Sequence, residues 1–139
     1  MARIFNRKLS REIAMELIYQ SSINPYGDDL LEAVNSNFEL KEKEREDLDL
    51  NYIMRVVKAV EENREEIRDL IESHLEGWKI ERISRINYSI LSLAVAEMKF
   101  LDDIPEKVSI NEALNLTEKY GDEKDKKFIN GVLDKIYRG

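Results

Sequence analysis

The sequence predicts an all-α protein with about seven helices and no credible strand. Apolar residues recur at spacings of three and four along almost the whole chain, the period of one helical face. Only two prolines and five glycines interrupt 139 residues that are 42% hydrophobic, which argues against disorder and against a turn-rich β sandwich. The connections are short, with no internal repeat, low-complexity tract or flexible linker, so the helices are expected to pack as one bundle assembly.

Leu9, Ile13, Leu17 and the adjacent Ala14 and Ile18 form the first stripe, which Pro25-Tyr26-Gly27 stops. Asp28 is placed to cap a short second helix with Leu30, Leu31 and Val34 inward. A third helix carries Leu48, Tyr52, Ile53, Val56, Val57 and Val60. Asn63 then reads as the N-cap of a fourth, with Ile67, Leu70, Ile71, His74 and Leu75 on its face. The segment "EGWKIERIS" is a junction at which Gly77 ends one helix and Trp78 packs across to the next. A fifth helix runs from Ile86 through Ile90, Leu93, Ala94 and Met98 to Leu101 and stops before Pro105. Ser109 and Glu112 spell a capping box for the sixth, and Gly121 sits where a left-handed residue would end it. The last helix begins near Asp122 to Asp125 and carries Phe128, Ile129, Val132, Leu133, Ile136 and Tyr137 at helical spacing. It therefore runs straight through Asn130-Gly131, a pair that normally marks a hairpin.

Several chemistries are excluded at once. There is no cysteine, so neither a disulfide nor a cysteine-ligated zinc is available. With His74 the single histidine, a metal site would have to be built from carboxylates, and no cofactor motif is present. His74 continues an apolar face and reads as a packed or half-exposed structural residue. Asp102-Asp103 read as a solvated loop rather than a cation site, and Glu97 is either buried and hydrogen-bonded or flanks the stripe. No apolar run approaches the roughly 18 residues needed to span a bilayer and no signal-peptide pattern opens the chain, so a cytoplasmic location is expected. No nucleotide loop or nucleophile motif is found, and no enzyme is expected.

The net charge of −7 is unevenly spread. Residues 1–11 hold Arg3, Arg7, Lys8 and Arg11 with no acid, a local +4, whereas residues 28–76 hold sixteen acids against seven bases, a local −9. A basic arm on an acidic body can direct a polyanion to one place; the plainer alternative is a set of solvated, idle side chains. The run "KYGDEKDKKF" puts Lys126, Lys127 and Phe128 near the start of the last helix, where charge, backbone N–H groups and stacking could combine on RNA. On spacing alone, a solvated loop followed by a core phenylalanine is the better reading.

Taken together, "IPEKVSINEALNLTEKYGDEKDKKFINGVLDKI" resembles the C-terminal signature of the NusB family of transcription antitermination factors. "RKLSREIAMELIYQ" is similar to that family's basic first helix, and "LEGWKIERISRINYSILSLAVAEM" looks like its Trp-led junction and fifth helix. Residues 28–60 match only in helical pattern. The resemblance implies seven helices in two small packed bundles, a single NusB-like domain over 1–139 with sub-bundles of roughly 1–76 and 77–139. It implies a non-enzymatic adaptor that pairs with NusE, a small-subunit ribosomal protein. The pair binds the single-stranded boxA element of nascent ribosomal RNA and joins the RNA polymerase elongation complex to suppress termination. Members of the family can also self-associate.

By position, the resemblance assigns RNA contacts to Arg3, Arg7, Lys8, Arg11, Lys127 and Phe128. Tyr19 matches the family too, facing RNA, partner or core, and Asn87 falls on the partner or RNA face of the fifth helix. In this fold Gly131 is expected where the last helix approaches a neighbour too closely for a Cβ, with Asn130 satisfying backbone groups at the crossing. The arm departs from the family's arginine cluster, with Ile4 and Phe5 interleaved. "ILSLA" likewise has Ser92 where arginine is usual. Two rival readings are a helical protein–protein adaptor without RNA binding and the NusB-like module of a ribosomal RNA methyltransferase; the second is disfavoured because no nucleotide-binding half follows Gly139.

Overall fold

The computed structural model describes residues 4–21, 29–36 and 38–139. Arg3, the stop at Pro25–Gly27 and the cap assigned to Asp28 lie outside these residues. Among the described residues the structure is helical without a strand: α1 (Arg7–Ser21), α2 (Leu30–Ser36), α3 (Glu42–Glu46), α4 (Leu50–Glu62), α5 (Arg64–Ser73), a 3₁₀ turn (Ile80–Arg82), α6 (Arg85–Phe100), α7 (Glu106–Tyr120) and α8 (Glu123–Arg138). No helix among them is long and apolar enough to cross a membrane.

The arrangement is organised around α6. Every residue from Leu91 to Met98 is buried, including Ser92 and Glu97, so this helix has no solvent face over two turns. A helix apolar on all sides must be surrounded, and α6 packs against α1, α4, α5, α7 and α8. The amphipathic helices cover it with single stripes: Tyr52, Ile53, Val56, Val57 and Val60 from α4, and Ile129, Val132, Leu133 and Ile136 from α8. All the buried apolar side chains join one continuous core.

Several local expectations are corrected. The extra helix α3 buries no side chain, so it leaves no periodic stripe in the sequence to find. On α2, Leu31 is exposed while Leu30, Ala33 and Val34 face inward. Asn63 stands at the N-cap of α5 as expected, its carbonyl accepting from Ile67 N–H, but its side chain makes no cap there; Nδ2 donates to the carbonyl of Ala59 at the end of α4. The helix expected to start at Ser109 starts one turn earlier, after Pro105, and Ser109 lies buried inside it. Proline tolerates that place because its missing N–H costs nothing before the first turn. His74 is half-buried at the C-cap of α5, its Nδ1–H donating to the carbonyl of Leu70 at 2.8 Å.

The glycines divide by cause. Gly77 is left-handed, with φ +73°, and turns the chain out of the α5 region. Gly121 is not left-handed: its backbone is extended, and a Cβ there would lie 2.6 Å from Oδ2 of Asp125. Gly121 is thus a matter of space rather than of φ. Gly131 answers to neither cause, since it is exposed, helical, and a Cβ would meet nothing within 4 Å. No helix crosses there, and the close approach assigned to Gly131, with Asn130 serving it, is overturned; Asn130 is exposed as well. Gly131→Ala is accordingly expected to stabilise the protein by about 0.5–1 kcal/mol through helix propensity, read as a raised midpoint in thermal melting.

Candidate nucleic-acid interface

The basic arm folds in two directions. Asn6 begins it: its N–H donates to the carbonyl of Asp47 at 2.8 Å and its Oδ1 accepts from Leu9 N–H, capping α1. Ser10 Oγ donates to the carbonyl of Asn6 and accepts from Asp49 N–H, so the start of α1 is laced to the start of α4. Arg7 Nη2 then donates to Oδ2 of Asp49 at 2.8 Å, and its guanidinium lies 4.7 Å from the centre of the Tyr52 ring. It keeps about a third of its side chain in solvent, whereas Lys8 is exposed.

Arg11 turns fully inward. Only 5% of it is exposed, and its Nε and Nη2 donate to the two carboxylate oxygens of Glu97 at 2.9 and 3.1 Å. The same carboxylate accepts from the hydroxyls of Tyr52 and Ser109. Burial pulls the Arg11 guanidinium down, but the hydrogen bonds and charge of Glu97 outweigh it and hold the pKa above the ordinary value. Burial, reinforced by the Glu97 charge, drives the Tyr52 phenol far up, so it remains a donor. The assignment of Arg11 to RNA is therefore corrected. The side chain is closed to a phosphate and instead pins α1 to α6. This also settles the two readings of Glu97 in favour of burial.

At the other end of the molecule the chain builds an open groove of about 620 Å³. Phe128, in the second turn of α8, is half-buried, and Trp78 stands against it with ring centroids 5.3 Å apart at 58°. Trp78 does not pack across to α6 as the junction reading supposed; it is 57% exposed. Lys127, Lys124, Arg82 and Asp122 line the groove too. Lys127 is exposed, while its neighbour Lys126 is turned away to pair with Glu118 on α7. The lining also holds Asn87 and Asp125, with Asn87 Nδ2 donating to Asp125 Oδ1 at 2.9 Å. That bond, and the N–H of Asp122 on the same carboxylate, keep Asp125 below the usual carboxylate range.

Lys127, Phe128 and Asn87 thus come together. Tyr19 does not line the groove and is held against the start of α6, where Arg85 lies over its ring at 4.3 Å and donates to its carbonyl at 3.1 Å. Arg7 and Lys8 sit at the opposite end of α1, about 17–18 Å along the helix from Tyr19 at 1.5 Å per residue. The sequence reading missed Trp78, Arg82 and Lys124 as groove residues, although a lone tryptophan just after Gly77 was a usable signal. Among the described residues no three His, Asp or Glu side chains gather to hold a metal ion.

Fold and surface together define a small helical protein with an exposed groove in which an aromatic pair stands among three cations and two aspartates. The sequence pattern of the NusB family matches residues 8–138. The chain is 44% identical over 143 aligned positions to the transcription antitermination protein NusB of Clostridium botulinum (strain Kyoto / Type A2), covering 94% of this chain and 99% of that protein. Among solved structures it is similar to T. maritima NusB, with a TM-score of 0.76 and 31% identity, over 97% of this chain and 92% of that one. It also matches a chain in a crystal structure of the antitermination factors NusB and NusE in complex with dsRNA, with a TM-score of 0.74 and 30% identity over 95% and 96% of the two chains. The chain belongs to the NusB family.

Proposed function

We propose that this chain is a transcription antitermination factor that pairs with NusE, binds the single-stranded boxA element of nascent ribosomal RNA, and joins the elongating RNA polymerase to suppress termination. The observation that carries the reading is the groove at α8, where Lys127 stands exposed beside the half-buried ring of Phe128. Single-stranded RNA is held by backbone charge and by bases splayed onto aromatic rings, and this groove offers both. Lys8 and the exposed part of Arg7 extend the cationic surface along α1. Family membership and the likeness to a chain from a complex of NusB and NusE with dsRNA support the pairing with NusE and with RNA. The protein acts as an adaptor rather than an enzyme, in the cytoplasm, and self-association of the free form would cover part of this surface.

A protein adaptor without RNA binding is favoured by one observation: Arg7 and Arg11 are both turned to carboxylates. Fluorescence anisotropy separates the two. Labelled boxA RNA and a scrambled control are titrated with the chain alone and with NusE, at two salt concentrations. Selective binding that tightens with NusE is expected. Neutralising Arg7 and Lys8 should leave NusE binding intact and flatten the log–log salt dependence by about 0.7 for each phosphate no longer neutralised. Equal or absent binding of both RNAs by a heterodimer shown to form would leave only the adaptor.

A further inference from the structure

We propose that Trp78 is a nucleobase-stacking residue: one unstacked base of the bound RNA enters the groove beside Phe128 and lies against the open face of the Trp78 ring. The inference rests on the RNA-binding reading above and extends it to a residue outside the basic arm and the α8 motif.

Trp78 is the chain's single tryptophan, and it is left 57% exposed. A tryptophan has a large apolar surface to bury, so leaving more than half of it in water is unfavourable unless something covers it. The ring is also held in place. Gly77 at φ +73° turns the chain just before it, and Ile80, 5% exposed, anchors the 3₁₀ turn just after it. Phe128 meets it at a tilt, 5.3 Å away. Phe128 thus supports the indole within the groove lining, and more than half of Trp78 is left open to a base. A pre-set ring suits stacking, because little side-chain freedom is lost when a base arrives.

Charge in the groove orients the ligand. Lys127, Lys124 and Arg82 line it and attract a phosphate backbone. Asp122 and Asp125 in the same lining repel phosphate, and their carboxylates are acceptors for hydrogen bonds from a base. A nucleotide is therefore drawn with its phosphates toward the cations and its base toward the carboxylates and the rings. The volume of about 620 Å³ lies within the 300–1,000 Å³ typical of small-ligand sites. Gly121 supports the arrangement, since any side chain there would collide with Asp125.

The test uses the complex of this chain with NusE and a boxA oligonucleotide. A parallel titration of the Trp78→Phe complex removes any emission from NusE. Emission from Trp78 should be quenched saturably, with the midpoint found by anisotropy. Trp78→Ala should weaken RNA binding about 5- to 150-fold. It should leave NusE binding and the circular dichroism spectrum unchanged. Trp78→Phe should recover most of the affinity and Trp78→Leu should not, because only the former keeps a π face. Unquenched emission at saturating RNA, an unweakened Trp78→Ala variant, or equal rescue by leucine would each overturn the proposal while RNA binding itself stands. If the parent complex fails to bind boxA RNA in the anisotropy experiment, the functional reading falls, and this proposal with it.

Discussion

Glu97→Ala should lower the unfolding free energy by about 3–5 kcal/mol, the range found when one partner of a buried ion pair is removed. The reason lies in what remains. Arg11 is 5% exposed, so without Glu97 its charge stays in the interior with only the looser contact to Glu112, 3.8 Å from Nη1, and the hydroxyls of Tyr52 and Ser109 lose their acceptor. For an ordinary domain with about 5–15 kcal/mol of stability, that is a large share. The check is urea unfolding, with the midpoint falling and the slope unchanged. Replacing the cluster together, as Arg11→Met, Glu97→Leu and Tyr52→Phe, should recover much of the loss, since no charge is then stranded. A loss below about 1 kcal/mol for Glu97→Ala would mean that water reaches Arg11. The same cluster explains why substitutions at Arg11 are poor probes of RNA binding: they would be read through damage to the fold.

The second large effect is expected at Phe128. On the proposed function, Phe128→Ala should weaken boxA binding by the complex with NusE by about 1–3 kcal/mol, the usual value of one aromatic–base stack. The ring is half-buried and packs against the core, so some stability is lost as well. The comparison is therefore made well below the melting temperature of the variant. Lys127→Ala provides the contrast, because Lys127 is exposed and should change the salt slope without moving stability. If Phe128→Ala bound boxA as tightly as the parent, the groove would not be the RNA site.

Most of the helices were legible because the core announces itself by period. α4 and α8 each bury one clean stripe, and α6 buries nearly everything. α3 was not legible because its five residues, Glu42–Glu46, are all charged and bury nothing. The misread caps have a common cause. Ser109 satisfies a capping pattern by spacing, yet its hydroxyl is turned to Glu97 on another helix. Asn63 does hold the N-cap position of α5, but its side chain serves the helix behind it. Arg11 shows the limit most clearly for the site. Its basic neighbours Arg7 and Lys8 remain open to solvent, and only a carboxylate 86 residues away decides that Arg11 does not. Lys127 and Phe128 fared better, since adjacent residues on one helix must arrive together.

The exposed Asn130-Gly131 pair has a consequence for chemical ageing. In a flexible chain, the backbone nitrogen after an asparagine attacks the side-chain amide carbon, releases ammonia and closes a five-membered imide. A following glycine offers no Cβ to hinder that attack. Inside α8 the same nitrogen is engaged in the helical hydrogen-bond ladder and pointed along the axis, away from the amide. The side chain is open to water, but the ring cannot close until the helix does open. Deamidation of Asn130 over days therefore acts as a slow clock, ticking at a rate set by how often this stretch of α8 comes undone.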